Sequence, residues 1–135
     1  MTRTILIVDD NELYRGMLRS LLILHGYTVL AAANAAEALA LAETHPIDAM
    51  LTDVDMPGMD GIELCRQLHA RASDRNETIP VWVMTGMLRP GLTKRTRDAG
   101  ALVVLRKPFN VVDTCKQFEL EFEARTGKLR TPQIA

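Results

Sequence analysis

Apolar runs and amphipathic stretches alternate along this chain. Residues 4–9 are apolar and largely β-branched before their terminal acid, as a strand buried on both faces of a parallel sheet would be. From Asn11 the period changes. Leu13, Met17, Leu21 and Leu24 recur at helical spacing, and Gly26 closes the stretch as a helix C-terminus does. Residues 27–32 read as a second strand. Asn34 and Glu37 form a capping-box pattern, and the Ala/Leu-rich helix it opens must stop before Pro46. Residues 48–53 read as a third strand. A helix follows from Gly61 to about Ala72, with Cys65, Leu68 and Ala72 on one face and Asp60 as its N-cap. Residues 73–78 are polar and loop-like. Residues 79–85 read as a fourth strand, with Pro80 tolerable near its start. A short helix is predicted after Pro90, ending at Gly100, and residues 101–105 read as a fifth strand. Val111, Cys115, Phe118 and Phe122 mark the inner face of a last helix.

Five strands alternating with five helices predict an α/β domain around a parallel sheet, with right-handed crossovers. One domain is expected over residues 1–125. Residues 126–135 contain Gly, Pro and few apolar side chains, and read as a flexible C-terminal tail or the beginning of a linker. The 135 residues, 47% hydrophobic and 24% charged, suit one soluble domain with a sizeable core. A formal net charge of −1 argues against general attraction to nucleic acid or anionic lipid. The N-terminal apolar run is too short for a signal-peptide core or a membrane span. Cys65 and Cys115 lie far apart in helical patterns and read as buried thiols. The expected compartment is the cytoplasm.

The chemistry-bearing residues sit where the strands end. Asp9 and Asp10 follow the first strand, Asp53 ends the third, Thr85 ends the fourth, and Lys107 follows the fifth. Ligands bind outside the carboxyl ends of strands in open α/β sheets, so these five groups are predicted at one rim. Three carboxylates packed there would repel one another, and a hard divalent cation is the usual remedy. A Mg²⁺ site working on a phosphoryl group is therefore expected. His25, His45 and His69 show no ligand spacing, and His25 reads as a helix C-terminal residue.

The chain resembles a response-regulator receiver domain of two-component signalling from about Ile5 to about Phe122. The residues that carry the resemblance are Val8-Asp9-Asp10, Asp53 through Gly61, Met84-Thr85-Gly86, Ala99-Gly100-Ala101 and Lys107-Pro108-Phe109. It implies a doubly wound, flavodoxin-like sheet of order 2-1-3-4-5 and a cis peptide before Pro108. It also implies that Asp53 is the phosphoacceptor, taking its phosphoryl group from a histidine kinase or phosphotransfer protein. Asp10 would ligate Mg²⁺ directly, Asp9 mainly through water, and the Asp55 backbone carbonyl would be a further ligand. Lys107 would pair with Asp53 and then with phosphoryl oxygens, and Thr85 would hydrogen-bond the phosphoryl group. Such a domain is a signalling module rather than an enzyme, and its output is expected through a downstream protein partner.

The pattern departs from that family at Val104, where receivers usually carry Tyr or Phe in the fifth strand. Valine has no ring to bury or expose, so the usual coupling of a ring to Thr85 has nothing to act through here. The face of the fourth helix, fifth strand and fifth helix is a candidate partner or homodimer surface, against the plainer reading of a buried strand. Asp55 and Met87 occupy positions that tune phosphoryl lifetime in this family. The basic residues Arg89, Lys94, Arg95 and Arg97 read first as a solvated face. Two alternatives compete: a receiver-like module that is never phosphorylated, and a phosphatase using Asp53-Val54-Asp55 as an Asp-x-Asp motif, which would leave Asp9 and Asp10 without a role.

Overall fold

A computed structural model describes residues 2–74 and 78–134. Five parallel strands, β1 (Thr4–Val8), β2 (Thr28–Ala32), β3 (Ala49–Asp53), β4 (Val81–Thr85) and β5 (Val103–Arg106), stand in the order β2-β1-β3-β4-β5. Five helices connect or follow them: α1 (Glu12–Leu24), α2 (Ala35–Thr44), α3 (Gly61–Asp74), α4 (Leu92–Asp98) and α5 (Val111–Ile134). The expected alternation and strand order are both present.

The period-2 geometry of each strand divides the core in two. Ile5, Ile7, Ala49, Leu51, Trp82 and Met84 pack against Leu18 and Leu22 of α1 and Cys115, Phe118 and Phe122 of α5. Leu6, Val8, Met50, Val81 and Val83 face α2, α3 and Leu92 of α4. Every residue of β3 and β4 is buried. Trp82 packs edge-on against Phe118, with ring centroids 4.7 Å apart, and its indole N–H donates to Gln117 Oε1 at 2.8 Å. A reporter at Trp82 therefore reads α5 more directly than the strand-end rim.

Local capping follows the predicted chemistry. Asn11 caps α1 by accepting from the Tyr14 N–H at 2.9 Å, and Asp60 caps α3 by accepting from the Glu63 N–H at 2.9 Å. Asn34 accepts from the Glu37 N–H at 2.8 Å, while the Glu37 carboxylate reaches past Asn34 to the Ala33 N–H at 2.9 Å. His25 is the C-cap of α1, and Gly26 follows it at a positive φ of 93°. The Lys107–Pro108 peptide is cis.

α1 selects one of its apolar stripes, and two helices run past the ends expected for them. The helical spacing of Leu13, Met17, Leu21 and Leu24 is that of α1, but the stripe turned to the sheet is another one: Leu13 is 86% exposed and Leu24 80%, while Leu18 and Leu22 are buried. Apolar residues lie nearly all round this helix, so more than one stripe fits the period, and packing on Ile5 and Ile7 selects one. α3 continues through Ser73 and Asp74, and residues 75–77 of the expected loop lie outside the described residues. α5 extends to Ile134, beyond the boundary expected at residue 125, with no proline before Pro132 to interrupt its backbone hydrogen bonds. Among the described residues, no helix is long and apolar enough to cross a membrane.

Candidate functional site

Strand register brings the polar groups together. Val8 lies opposite Thr52 and Asp53 opposite Met84, so Asp9 and Asp53 emerge side by side at the carboxyl rim. Thr85 lies opposite Arg106, and the Lys107 N–H donates to the Thr85 carbonyl at 2.8 Å. The rim thus holds Asp9, Asp10, Asp53, Thr85 and Lys107, as the strand ends predict. Gly61 lets the β3–α3 loop close over the rim, because a Cβ there would collide with the Asp53 carbonyl oxygen.

Asp9 is fully buried and held from several sides. One carboxylate oxygen accepts from the Asn11 N–H at 2.9 Å and the other from Lys107 Nζ at 2.7 Å. Lys107 lies farther from Asp53 Oδ1, at 3.5 Å. In this structure its closer partner is therefore Asp9, not Asp53. The ammonium also sits 4.4 Å from the centroid of the Tyr14 ring, which packs edge-on against Phe109. Tyr14 has no distinctive signal in the sequence. It reaches the lysine because the Asn11 cap fixes the first turn of α1.

Burial pushes the Asp53 carboxyl up to about 6. The Lys107 ammonium opposes that rise, the Asp9 charge adds to it, and a hydrogen bond from the Asp55 backbone N–H opposes it. Asp9, Asp10 and Asp53 offer carboxylate oxygens that all lie within 4.8 Å of one another. Crowded hard-oxygen donors with an upward-shifted acid among them fit a divalent cation. The exposed Asp10 has a carboxylate free of the hydrogen bonds that occupy Asp9.

A second polar cluster adjoins the first. Arg89 Nη2 donates to Asp55 Oδ1 at 2.8 Å, and Nη1 lies 3.4 Å from Asp55 Oδ2. Nη1 also reaches the Met87 carbonyl at 3.1 Å and Thr85 Oγ1 at 3.5 Å. The buried Thr85 hydroxyl has the Met87 carbonyl at 3.0 Å and Asp55 Oδ2 at 3.2 Å as acceptors, and it accepts from the Met87 N–H at 3.1 Å. Arg89 stays exposed, as the expected solvated basic face requires, but is drawn to the Asp55 charge. Lys94 pairs with Asp98 at 2.8 Å, and Arg95 approaches Asp60 at 3.9 Å. The Asp55–Arg89 contact was not visible in the sequence, since 34 residues separate the partners.

His69 holds structure rather than a metal: Nε2 lies 2.9 Å from the Ile79 carbonyl and Nδ1 3.3 Å from the Ala99 carbonyl. Val104 is half-buried against the α2–α3–α4 core. Beside it lies a hollow of about 50 Å³, lined by Thr93, Thr96, Arg97 and residues 101–104. The Thr96 hydroxyl is buried there and has no hydrogen-bond partner among the described residues.

Comparison with known proteins agrees with this geometry. The family model described as the response regulator receiver domain matches residues 5–119. The chain is 38% identical to the transcriptional regulatory protein PdtaR of Mycobacterium tuberculosis, over 96% of this chain and 64% of that protein. It is 40% identical to the response regulator MprA of Mycobacterium ulcerans, over 81% of this chain and 45% of that protein. It therefore spans about half to two-thirds of the length of these curated relatives. Among solved structures, a CheY-like receiver domain protein from Methanospirillum hungatei superposes with a TM-score of 0.85 at 26% identity, covering 95% of this chain and 99% of that one. The Vibrio cholerae chemotaxis protein CheY4 gives 0.80 at 30% identity, covering 87% and 99%.

Proposed function

Because the chain belongs to the response-regulator receiver family, a family of signalling domains, we propose that it accepts a phosphoryl group on Asp53 and signals by altered protein binding. The observation that carries this reading is the convergence of Asp9, Asp10, Asp53, Thr85 and Lys107 at one rim, with Asp53 almost buried. The donor is a phosphohistidine on a kinase or phosphotransfer protein. An Asp53 carboxylate oxygen attacks phosphorus as the P–N bond breaks, and the leaving imidazole takes the electron pair. Hydrolysis later transfers the phosphoryl group to water and regenerates the carboxylate.

Phosphoryl transfer needs positioning and charge stabilisation more than acid–base chemistry. Asp10, Asp53 and the Asp55 carbonyl would hold Mg²⁺, with Asp9 acting mainly through water. The ion would supply charge neutralisation at the transferred oxygens. Lys107, anchored by Asp9 at 2.7 Å, stands close enough to Asp53 to meet the added negative charge. The buried Thr85 hydroxyl is a further donor on the β4 side.

The test is incubation with Mg²⁺ and acetyl phosphate or phosphoramidate, followed by intact mass measurement. One labile phosphoryl adduct is expected on the wild type and none on Asp53→Ala. No adduct, or one that persists in the variant, overturns the reading. Steady phosphomonoester turnover without an adduct would favour the Asp-x-Asp phosphatase instead.

A further inference from the structure

Asp55 presents a carboxylate beside Thr85, two residues from the proposed acceptor. An uncompensated negative charge there would repel an anionic phosphodonor. Arg89 compensates it: the guanidinium faces both Asp55 oxygens, at 2.8 and 3.4 Å, and stands 3.5 Å from the Thr85 hydroxyl. Thr85 has a single hydroxyl hydrogen. Its two acceptors are Asp55 and the Met87 carbonyl, and Arg89 binds both of those groups. The hydroxyl is therefore held within the β4–α4 loop.

The pair differs in kind from Lys107 and Asp9. Its side chains are 35% and 53% exposed, against 18% and 0% for Lys107 and Asp9. An exposed pair is weak and exchanges partners readily. A phosphoryl group brings about −1.5 to −2 charges, and a planar guanidinium matches phosphoryl oxygens as well as it matches a carboxylate.

Resting on the phosphoacceptor reading above, we propose that Asp55 and Arg89 form a charge-exchange latch. At rest Arg89 neutralises Asp55, and together they hold Thr85 within its loop. When a phosphoryl group occupies Asp53, Arg89 turns toward the phosphoryl oxygens, and the Thr85 hydroxyl leaves Asp55. Before transfer Arg89 is thus a positioning residue, acting through Asp55 and Thr85; only after transfer does it meet the phosphoryl oxygens.

The experiment measures initial rates of adduct formation from phosphoramidate with Mg²⁺. The proteins are the wild type, Arg89→Ala, Arg89→Lys, Asp55→Asn and the Arg89→Ala/Asp55→Asn pair, at low salt and at about 0.5 M KCl. Arg89→Ala is expected to slow the reaction about fivefold, the scale of an exposed charge pair. Arg89→Lys should recover part of that loss. The double variant should recover most of it, because the uncompensated carboxylate is gone, and added salt should narrow all the differences. A purely structural arginine would not be rescued by removing its partner. An Arg89→Ala rate within twofold of wild type, or a double variant no faster than Arg89→Ala, overturns the latch alone. A wild type that takes no phosphoryl group overturns both the latch and the phosphoacceptor reading.

Discussion

The centre of the sheet and its β4–β5 side hold charge in opposite ways. At the centre, β3 is buried throughout, Asp9 is inaccessible to solvent, and Lys107 is clamped between Asp9 and Asp53. Toward the side, β5 is only half-covered, and Asp55 and Arg89 pair in partial contact with water. Burial makes the central pair hard to rearrange, since either charge left alone carries its full desolvation penalty. Solvent makes the lateral pair cheap to break. One half of the rim is thus built to hold a fixed charge pattern, and the other to change partners.

The sharpest way to break this comparison is to remove one cation from each half. Lys107→Met leaves Asp9 buried without its ammonium. It should cost about 3–5 kcal/mol of stability in metal-free protein, the usual consequence of orphaning a buried charge. Arg89→Ala should cost no more than about 1 kcal/mol, because Asp55 simply becomes hydrated. Urea unfolding of both variants in the presence of EDTA decides it. Equal losses would show that burial does not separate the two sites.

A smaller effect sharpens the central half. The folded pKa of Asp53, about 6, lies above an unfolded value of about 3.9. Between those values the folded state binds more protons than the unfolded state, so stability falls as pH rises. The destabilising contribution is absent below about pH 4 and complete above about pH 6 to 7. Asp53→Asn lacks it. Without metal, the variant should be more stable than wild type by about 1–2 kcal/mol at pH 7.5, allowing for solvent screening at the open mouth, and nearly equal at pH 4. Unfolding curves at the two pH values check the sign. Wild-type stability that rises from pH 4 to 7.5 relative to the variant would contradict the burial of an ionised Asp53. Mg²⁺ should erase most of the difference by stabilising the charged form.

These contrasts also explain what was legible before the structure. Strands β1 and β3 declare themselves because both faces are covered, leaving uninterrupted apolar runs that end in acid. Asn11, Asn34 and Asp60 are legible because a cap acts within three residues. The rim positions of Asp9, Asp53, Thr85 and Lys107 follow from strand ends alone. Partner choice within the rim does not. Lys107 prefers Asp9 across 98 residues, and Arg89 finds Asp55 across 34, so neither contact has a local signature. The buried stripe of α1 is not legible in the sequence, because its exposed leucines keep the same period as its core ones. Nothing local distinguishes the two stripes until α1 meets the sheet.

The smallest expected effect tests whether the two halves communicate through β5. Val104 lies opposite Val83 on β4, two strands from β3, and borders the hollow of about 50 Å³ that the Thr96 side chain also lines. Val104→Phe adds a ring where space already exists, so its stability should stay within about 1 kcal/mol of wild type, as added bulk that finds a void requires little repacking. The ring brings no charge and no hydrogen-bond donor to Thr85, whose hydroxyl is already held by Met87 and Asp55. Adduct formation should therefore remain within about twofold of wild type, since a barrier change below about 0.4 kcal/mol is all that such a remote apolar substitution would transmit. Thermal melts and phosphoramidate kinetics measure both quantities on the same samples. A rate change above fivefold with unchanged stability would mean that β5 packing controls Thr85 directly, and the lateral half would then be mechanically coupled rather than governed by the Asp55–Arg89 charge pair.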